Sequence, residues 1–278
     1  MRIDEIIKIC KENSRGYGTI DDENSRDQVL FGNTNKECTG IVTTIYASAD
    51  VIAKAAEMNA NLIIAHESLF WNHGDHTDWL ENNRSFQMKK KLLEDNGITV
   101  WRNHDYIHSG IMIDGMWMDG IFGGLMKELN WKEYLVGNQS VPMDYKIPRC
   151  RAKKVSDYLK EKIGLSGIKC IGDTDGECER ISFAHNHILG RAEKDNDYLT
   201  YVEENKVDTV IAMELCDFTL GIYVKDCAQM GINKRILATG HFNTEEPGMK
   251  YYAKYLKDLL PESLEISFVQ AGDMYSYL

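Results

Sequence analysis

Apolar positions recur along this chain in two rhythms, one helical and one extended. Near the N-terminus Ile3, Ile6, Ile7 and Cys10 share one side of a helical pattern and Glu5, Lys8 and Glu12 the other, which predicts an amphipathic helix. The polar stretch SRGYGTIDDENSRD then breaks the pattern and reads as a loop or exposed insertion. Order resumes at Cys38 to Ile45, rich in β-branched residues and so a strand, followed by a helix from Ser48 to Asn59. NLIIAHE reads as the next strand, with a helix over Ser85 to Asp95 and a strand over Gly97 to Trp101 behind it. Strands that alternate with helices in this way predict a largely parallel sheet with covering helices.

Between Pro142 and Arg149 the chain spends two of its four prolines and shows neither rhythm, which marks this stretch as a boundary between lobes. A second alternating series follows. It has a helix at 151–163, strands at 168–171 and 179–187, a helix at 198–205, a strand at 207–212, a helix at 220–231 and a strand at 235–239. The expectation is an α/β protein of two lobes with mixed, largely parallel sheets and covering helices. Residues 1–141 form the first lobe, completed by the C-terminal segment 240–278, and residues 142–239 form the second. No internal repeat or low-complexity segment interrupts the series.

With 278 residues and 43% apolar content, the chain can bury one large core or two smaller ones. The net charge of −11 argues against a nucleic-acid backbone or an anionic membrane as main partner, since both reward clustered lysine and arginine. Lys89-Lys90-Lys91 is the one obvious basic run and reads as a solvated helix face. The first residues, MRIDEIIKICKEN, carry Asp4, Glu5 and Lys8 and lack the apolar core of a secretory signal, and no stretch approaches the roughly 20 apolar residues of a membrane span. A cytoplasmic location is the expectation. Seven cysteines without any C-x-x-C spacing suit reduced thiols, most of them as small core hydrophobes.

Chemistry concentrates in a few histidines. His66, His104 with His108, and His241 each fall just after a predicted strand, where open α/β sheets gather ligands. His241 and Glu245 are four apart at a predicted helix start, a spacing that lets an imidazole and a carboxylate hold one transition metal. Spacing alone does not separate such a pair from an ordinary surface helix. His104 and His108 share that spacing, and a polar loop with an incidental pair fits their stretch as well. His73 and His76 flank Gly74 in what reads as an exposed turn. His185 and His187, two apart in a strand, face one side and line a pocket or serve a structural role. There is no nucleophile elbow, P-loop or dinucleotide fingerprint. The glycine-rich Gly120 to Gly124 reads as a turn before a helix at Leu125 to Leu129.

Three segments together carry a resemblance: Ala65-His66-Glu67-Ser68, then His104-Asp105-Tyr106-Ile107-His108, then Gly240-His241-Phe242-Asn243-Thr244-Glu245. In order and separation they are similar to the His-His-Pro, His-Thr-Asn-x-Asp and Gly-His-x-x-x-Glu motifs of the NGG-one-interacting-factor-three-like family, the dinuclear-metal hexameric proteins also labelled GTP cyclohydrolase one type two homologues. The resemblance covers nearly the whole chain in the family's short form. It implies a metal site in the cleft between the lobes, and its ligand set becomes His66, Glu67, His108, His241 and Glu245. Glu67 stands where the family has a second histidine and His108 where it has an aspartate, so three imidazoles and two carboxylates survive the exchange.

By the same resemblance the site holds two divalent transition-metal ions, Zn, Mn, Fe or Ni, with Glu245 bridging and His104 as an outer partner or pocket acid/base. Ala184-His185-Asn186-His187 replaces the family's glycine-rich strand end, and Glu214 joins His185 and His187 as a pocket candidate. The implied protein is a cytoplasmic homo-hexamer that hydrolyses a small phosphorylated or nucleotide-like substrate through a metal-bound hydroxide. A non-catalytic metal-binding scaffold is the alternative. Nothing in the sequence independently identifies a guanine or pterin pocket.

Overall fold

A computed structural model of the protein describes residues 1–278 apart from 73, 185–191 and 216, with the backbone alone at 192–197. In chain order the elements are α1 (Ile3–Glu12), β1 (Val29–Phe31), β2 (Ile41–Thr44), α2 (Ala49–Glu57), β3 (Leu62–Ala65), α3 (Arg84–Asp95), β4 (Thr99–Arg102), α4 (Asp105–Ser109), β5 (Ile111–Ile113), β6 (Met116–Met118) and α5 (Gly120–Glu128). There follow β7 (Leu135–Val136), β8 (Asp144–Arg151), α6 (Ala152–Ile163), β9 (Lys169–Gly172), β10 (Glu177–Ala184), α7 (Ala192–Glu204), β11 (Thr209–Ala212), α8 (Leu220–Gln229), β12 (Arg235–Ala238), α9 (His241–Leu259) and β13 (Ile266–Phe268). The chain divides into two compact units. Met1–Gly124 with Gly248–Ala271 form the first, and Leu125–Pro247 with Gly272–Leu278 the second.

In the first unit the strands run in the order β1-β4-β3-β2-β13, parallel except where β1 meets β4. Every residue of β2, β3 and β4 is buried, which explains why these strands read as continuous apolar runs and not as an alternation. Helix α2 starts where the Ser48 side chain accepts a hydrogen bond from the Val51 N–H, and it buries Val51, Ile52 and Ala55. Helix α3 buries Phe86, Lys89 and Leu93, spaced as one helical stripe. The apolar side chains among these join Val42, Ile63 and Val100 in one core.

The lysine run is therefore not a uniformly solvated face. Lys89 points inward, its Nζ donates to the Leu69 carbonyl at 2.6 Å, and burial pushes its pKa down to about 8 against the pull of Asp75. Lys90 and Lys91 do face water, paired with Glu94 and Asp95 one turn on.

The second unit orders its strands β7-β8-β10-β11-β12-β9, with β10, β11 and β12 parallel and the others antiparallel. Its core gathers Val210, Ile236, Leu220 and Val224. The stretch read as a boundary is largely strand β8, whose partners β7 and β10 override Pro148 and its weak alternation; Pro142 lies just before the strand. Gly120, Gly123 and Gly124 lie inside α5 and not in a turn before it. A Cβ at Gly120 would come within 2.6 Å of the Ile107 side chain, so close packing and not chain reversal accounts for that glycine. Cys10, Cys178 and Cys227 are core residues, whereas Cys38 and Cys150 are partly exposed and Cys170 is exposed; Cys216 is outside the described residues.

Candidate metal centre

Strands β3 and β4 pair in parallel with Ala65 opposite Arg102, so the chain leaves both strands at one sheet edge. His66 is the first residue beyond β3, and Asn103 and His104 are the first beyond β4. The register brings them together: His66 Nδ1 lies 3.0 Å from the Asn103 carbonyl oxygen. A carbonyl only accepts, so Nδ1 carries a proton.

His104 immediately precedes the one-turn helix α4, and His108 lies within it. The stretch is a short helix and not a loop, held by the buried Asp27 carboxylate, which accepts from the backbone N–H groups of His104, of Asp105 at 3.1 Å and of Tyr106 at 2.7 Å. Burial drives the Asp27 carboxyl pKa up, and these three donors pull the other way. The helix turns His108 back toward its neighbours. Ring centroids of His66 and His104 are 4.6 Å apart, of His66 and His108 5.0 Å, and of His104 and His108 4.8 Å. One ligating nitrogen from each lies within 4.8 Å of the other two.

Each of these rings is oriented by an oxygen behind it. His108 Nδ1 lies 2.8 Å from Asp119 Oδ2, and His104 Nδ1 lies 3.0 Å from Asp105 Oδ1. Burial works against the Asp105 charge, but hydrogen bonds from His104 and Arg26 outweigh it and hold the carboxyl below its ordinary range. Burial also pushes His104 down to about 3; the adjacent imidazoles and Arg102 add to the effect while Asp105 opposes it. His104 is thus neutral at physiological pH. A metal-ligating imidazole has its Nδ1–H held by a carbonyl or carboxylate acceptor, and in all three rings an oxygen stands at Nδ1.

Asp119 does two things. Its Oδ2 orients His108, and its Oδ1 accepts from the Ile121 and Phe122 N–H groups at 2.9 and 3.0 Å, capping the start of α5. Sequence reading passed over it, although an aspartate directly before a helix is a start signal. Asp119→Ala is expected to weaken transition-metal binding about 10–100-fold and to cost about 1 kcal/mol of stability through the lost cap. Metal titration and urea unfolding on the same preparation check both; lost stability with unchanged affinity would assign Asp119 to the helix alone.

Glu67 follows His66 and is buried. Its Oε2 accepts from Arg102 Nη2 at 3.1 Å. Arg102 is the larger omission from the sequence reading, since nothing in the chain pattern shows that a strand arginine turns inward.

In the second unit Ala212 of β11 lies opposite Ala238 of β12, so Glu214 and His241 emerge from one sheet edge. His241 Nδ1 is 2.9 Å from Glu214 Oε1, and His241 Nε2 is 3.2 Å from Glu245 Oε2 one turn along α9. His241 and Glu245 are thus neighbours on one helix face, and the Glu214 carboxylate orients the imidazole. Gly240 adopts φ +92 between β12 and α9, a left-handed conformation that favours glycine ahead of His241. His185 and His187 lie outside the described residues, as does His73.

A family model described as Duf34/NIF3 (NGG1p interacting factor 3) matches residues 1–273. A curated relative, the GTP cyclohydrolase 1 type 2 homolog of Clostridium perfringens (strain 13 / Type A), is 22% identical over 283 residues, covering 100% of both chains. Among solved structures, the Staphylococcus aureus hypothetical protein SA1388 superposes with a TM-score of 0.70 at 15% identity, covering 100% of this chain and 99% of that one. The Bacillus cereus protein related to NIF3 gives 0.68 at 12% identity, again over 100% and 99%. At these identities the solved structures establish a shared fold.

Proposed function

We propose, from a chain that belongs to the Duf34/NIF3 family over residues 1–273, that this protein binds a divalent transition metal and uses it to hydrolyse a small phosphorylated or nucleotide-like substrate. The observation that carries the proposal is the group formed by His66, His104 and His108, rings whose ligating nitrogens converge and whose Nδ1 atoms each lie within hydrogen-bond distance of an oxygen. Nitrogen-rich donors suit Zn, Mn, Fe or Ni and not Ca or Mg, which take oxygen shells.

His66 and His108 serve as ligands through Nε2, and the family's motif order adds His241 and Glu245. When bound, such an ion supplies Lewis-acid polarisation and a hydroxide nucleophile near neutral pH. The protein's own residues do the rest. Asn103 and Asp119 hold the ligand rings in one tautomer. His104, with its pKa near 3, accepts a hydrogen bond through Nε2 and so orients a water or substrate hydroxyl without storing a proton. The resemblance also brings a homo-hexamer and a cytoplasmic location into the proposal.

The test uses protein purified without chelator or nickel resin. Elemental analysis is expected to find at least one equivalent of Zn, Mn, Fe or Ni per chain, and a panel of phosphoesters and nucleotides to reveal turnover that chelation removes and the metal restores. Metal-loaded protein inert across the panel would leave the non-catalytic scaffold reading in its place.

A further inference from the structure

Glu67 is the point at which this chain departs most from the motif it otherwise resembles, and the structure shows what accompanies the change. The Arg102 side chain is 2% exposed. Its Nε donates to the His66 carbonyl at 3.1 Å, its Nη2 to Glu67 Oε2 at 3.1 Å, and its Nη1 lies 3.6 Å from Asp75 Oδ2. Asp75 is itself fixed, because its Oδ1 accepts from the Leu69 and Phe70 N–H groups at 2.7 and 3.0 Å.

A guanidinium keeps its proton in a protein, and its fork of donors matches carboxylate oxygens. The cation that Glu67 faces is therefore Arg102. A histidine at this position would be neutral and would need no counter-ion, whereas a buried glutamate does. A further divalent ion on Glu67 would sit beside a permanent positive charge in a region from which water, and hence most screening, is excluded.

We infer that this chain holds one metal ion where its dinuclear relatives are expected to hold two, with the buried Arg102 guanidinium taking the place of the second cation beside Glu67. The inference rests on the metal-binding reading above. Arg102 is too deeply buried to touch substrate and acts as a positioning residue. One Lewis acid, and not a bridged pair, then faces the substrate.

The experiment is a stoichiometric titration of chelator-stripped, full-length protein with Zn²⁺ and with Mn²⁺, read by elemental analysis after desalting and by calorimetry. Wild type is expected to saturate at one equivalent per chain. The double variant Glu67→His/Arg102→Met removes both charges of the pair together, leaves Asp75 held by the Leu69 and Phe70 N–H groups, and is expected to saturate at two. Wild type saturating at two would overturn the inference and leave the hydrolase reading standing. Wild type taking up none would overturn the metal-binding reading and this inference with it. A wild type at one with a folded double variant also at one would overturn the role given to Arg102. Should the double variant fail to fold, as circular dichroism would show, the wild-type stoichiometry decides.

Discussion

Alanine in place of His66 is expected to abolish transition-metal uptake while leaving a folded chain. An outer residue that merely orients a ligand typically contributes about 10–100-fold to affinity, and removing a ligand should exceed that. His66 has no accessible surface and sits in the middle of the imidazole group, within 5.0 Å of both neighbouring ring centroids. Its loss strands the Asn103 carbonyl that accepted its proton, which costs about 1–3 kcal/mol in a buried setting. Two readouts separate these effects. Elemental analysis should show metal falling from about one equivalent to background, and chemical unfolding should show a stability loss in the range just given. A His66→Ala protein that binds metal as tightly as wild type would place the ion elsewhere.

The largest effect on stability should come from Arg102→Ala, about 3–5 kcal/mol. The cost lies less in the lost contacts than in the charges left behind: the Glu67 and Asp75 side chains are each 9% exposed and would lose their shared counter-ion. The His66 carbonyl would lose a donor as well. Urea unfolding of the single and double variants tests the electrostatic origin directly. If the charge pair is the cause, Glu67→Gln in the Arg102→Ala background should recover part of the loss, and the two substitutions should be strongly non-additive. Additive losses would point to packing of the arginine stem instead.

These expectations rest on features that were unequally visible before the structure. The strands and helices of the first unit could be read because their cues are local: β-branched runs at 41–44, 62–65 and 99–102, the Ser48 cap, and the stripe of Ile3, Ile6 and Ile7. The positions of His66, His104 and His241 just beyond strands could be read for the same reason, since a sheet edge follows wherever a buried strand stops. Lys89 was misread because charge dominated the reading, although its spacing from Phe86 and Leu93 already placed it on the buried stripe. Strand β8 was missed because its pairing partners, not its own alternation, make it a strand.

The sequence by itself determined the kind of chemistry available: scarce histidines, placed after strands, in an order shared with a metal-binding family. Only the tertiary structure decided how those side chains are used. That His104 stands with His66 and His108 depends on the β3–β4 register and on Asp27, which pins α4 from 77 residues away. That Asp119, whose helix cap is local, also orients His108, and that Glu67 faces an arginine, depends on contacts between segments whose separation along the chain carries no local signal. Backbone preference and apolar periodicity act over a few residues and can be read in one dimension. Hydrogen-bond partners and counter-ions are chosen in three, by whichever polar groups folding buries together.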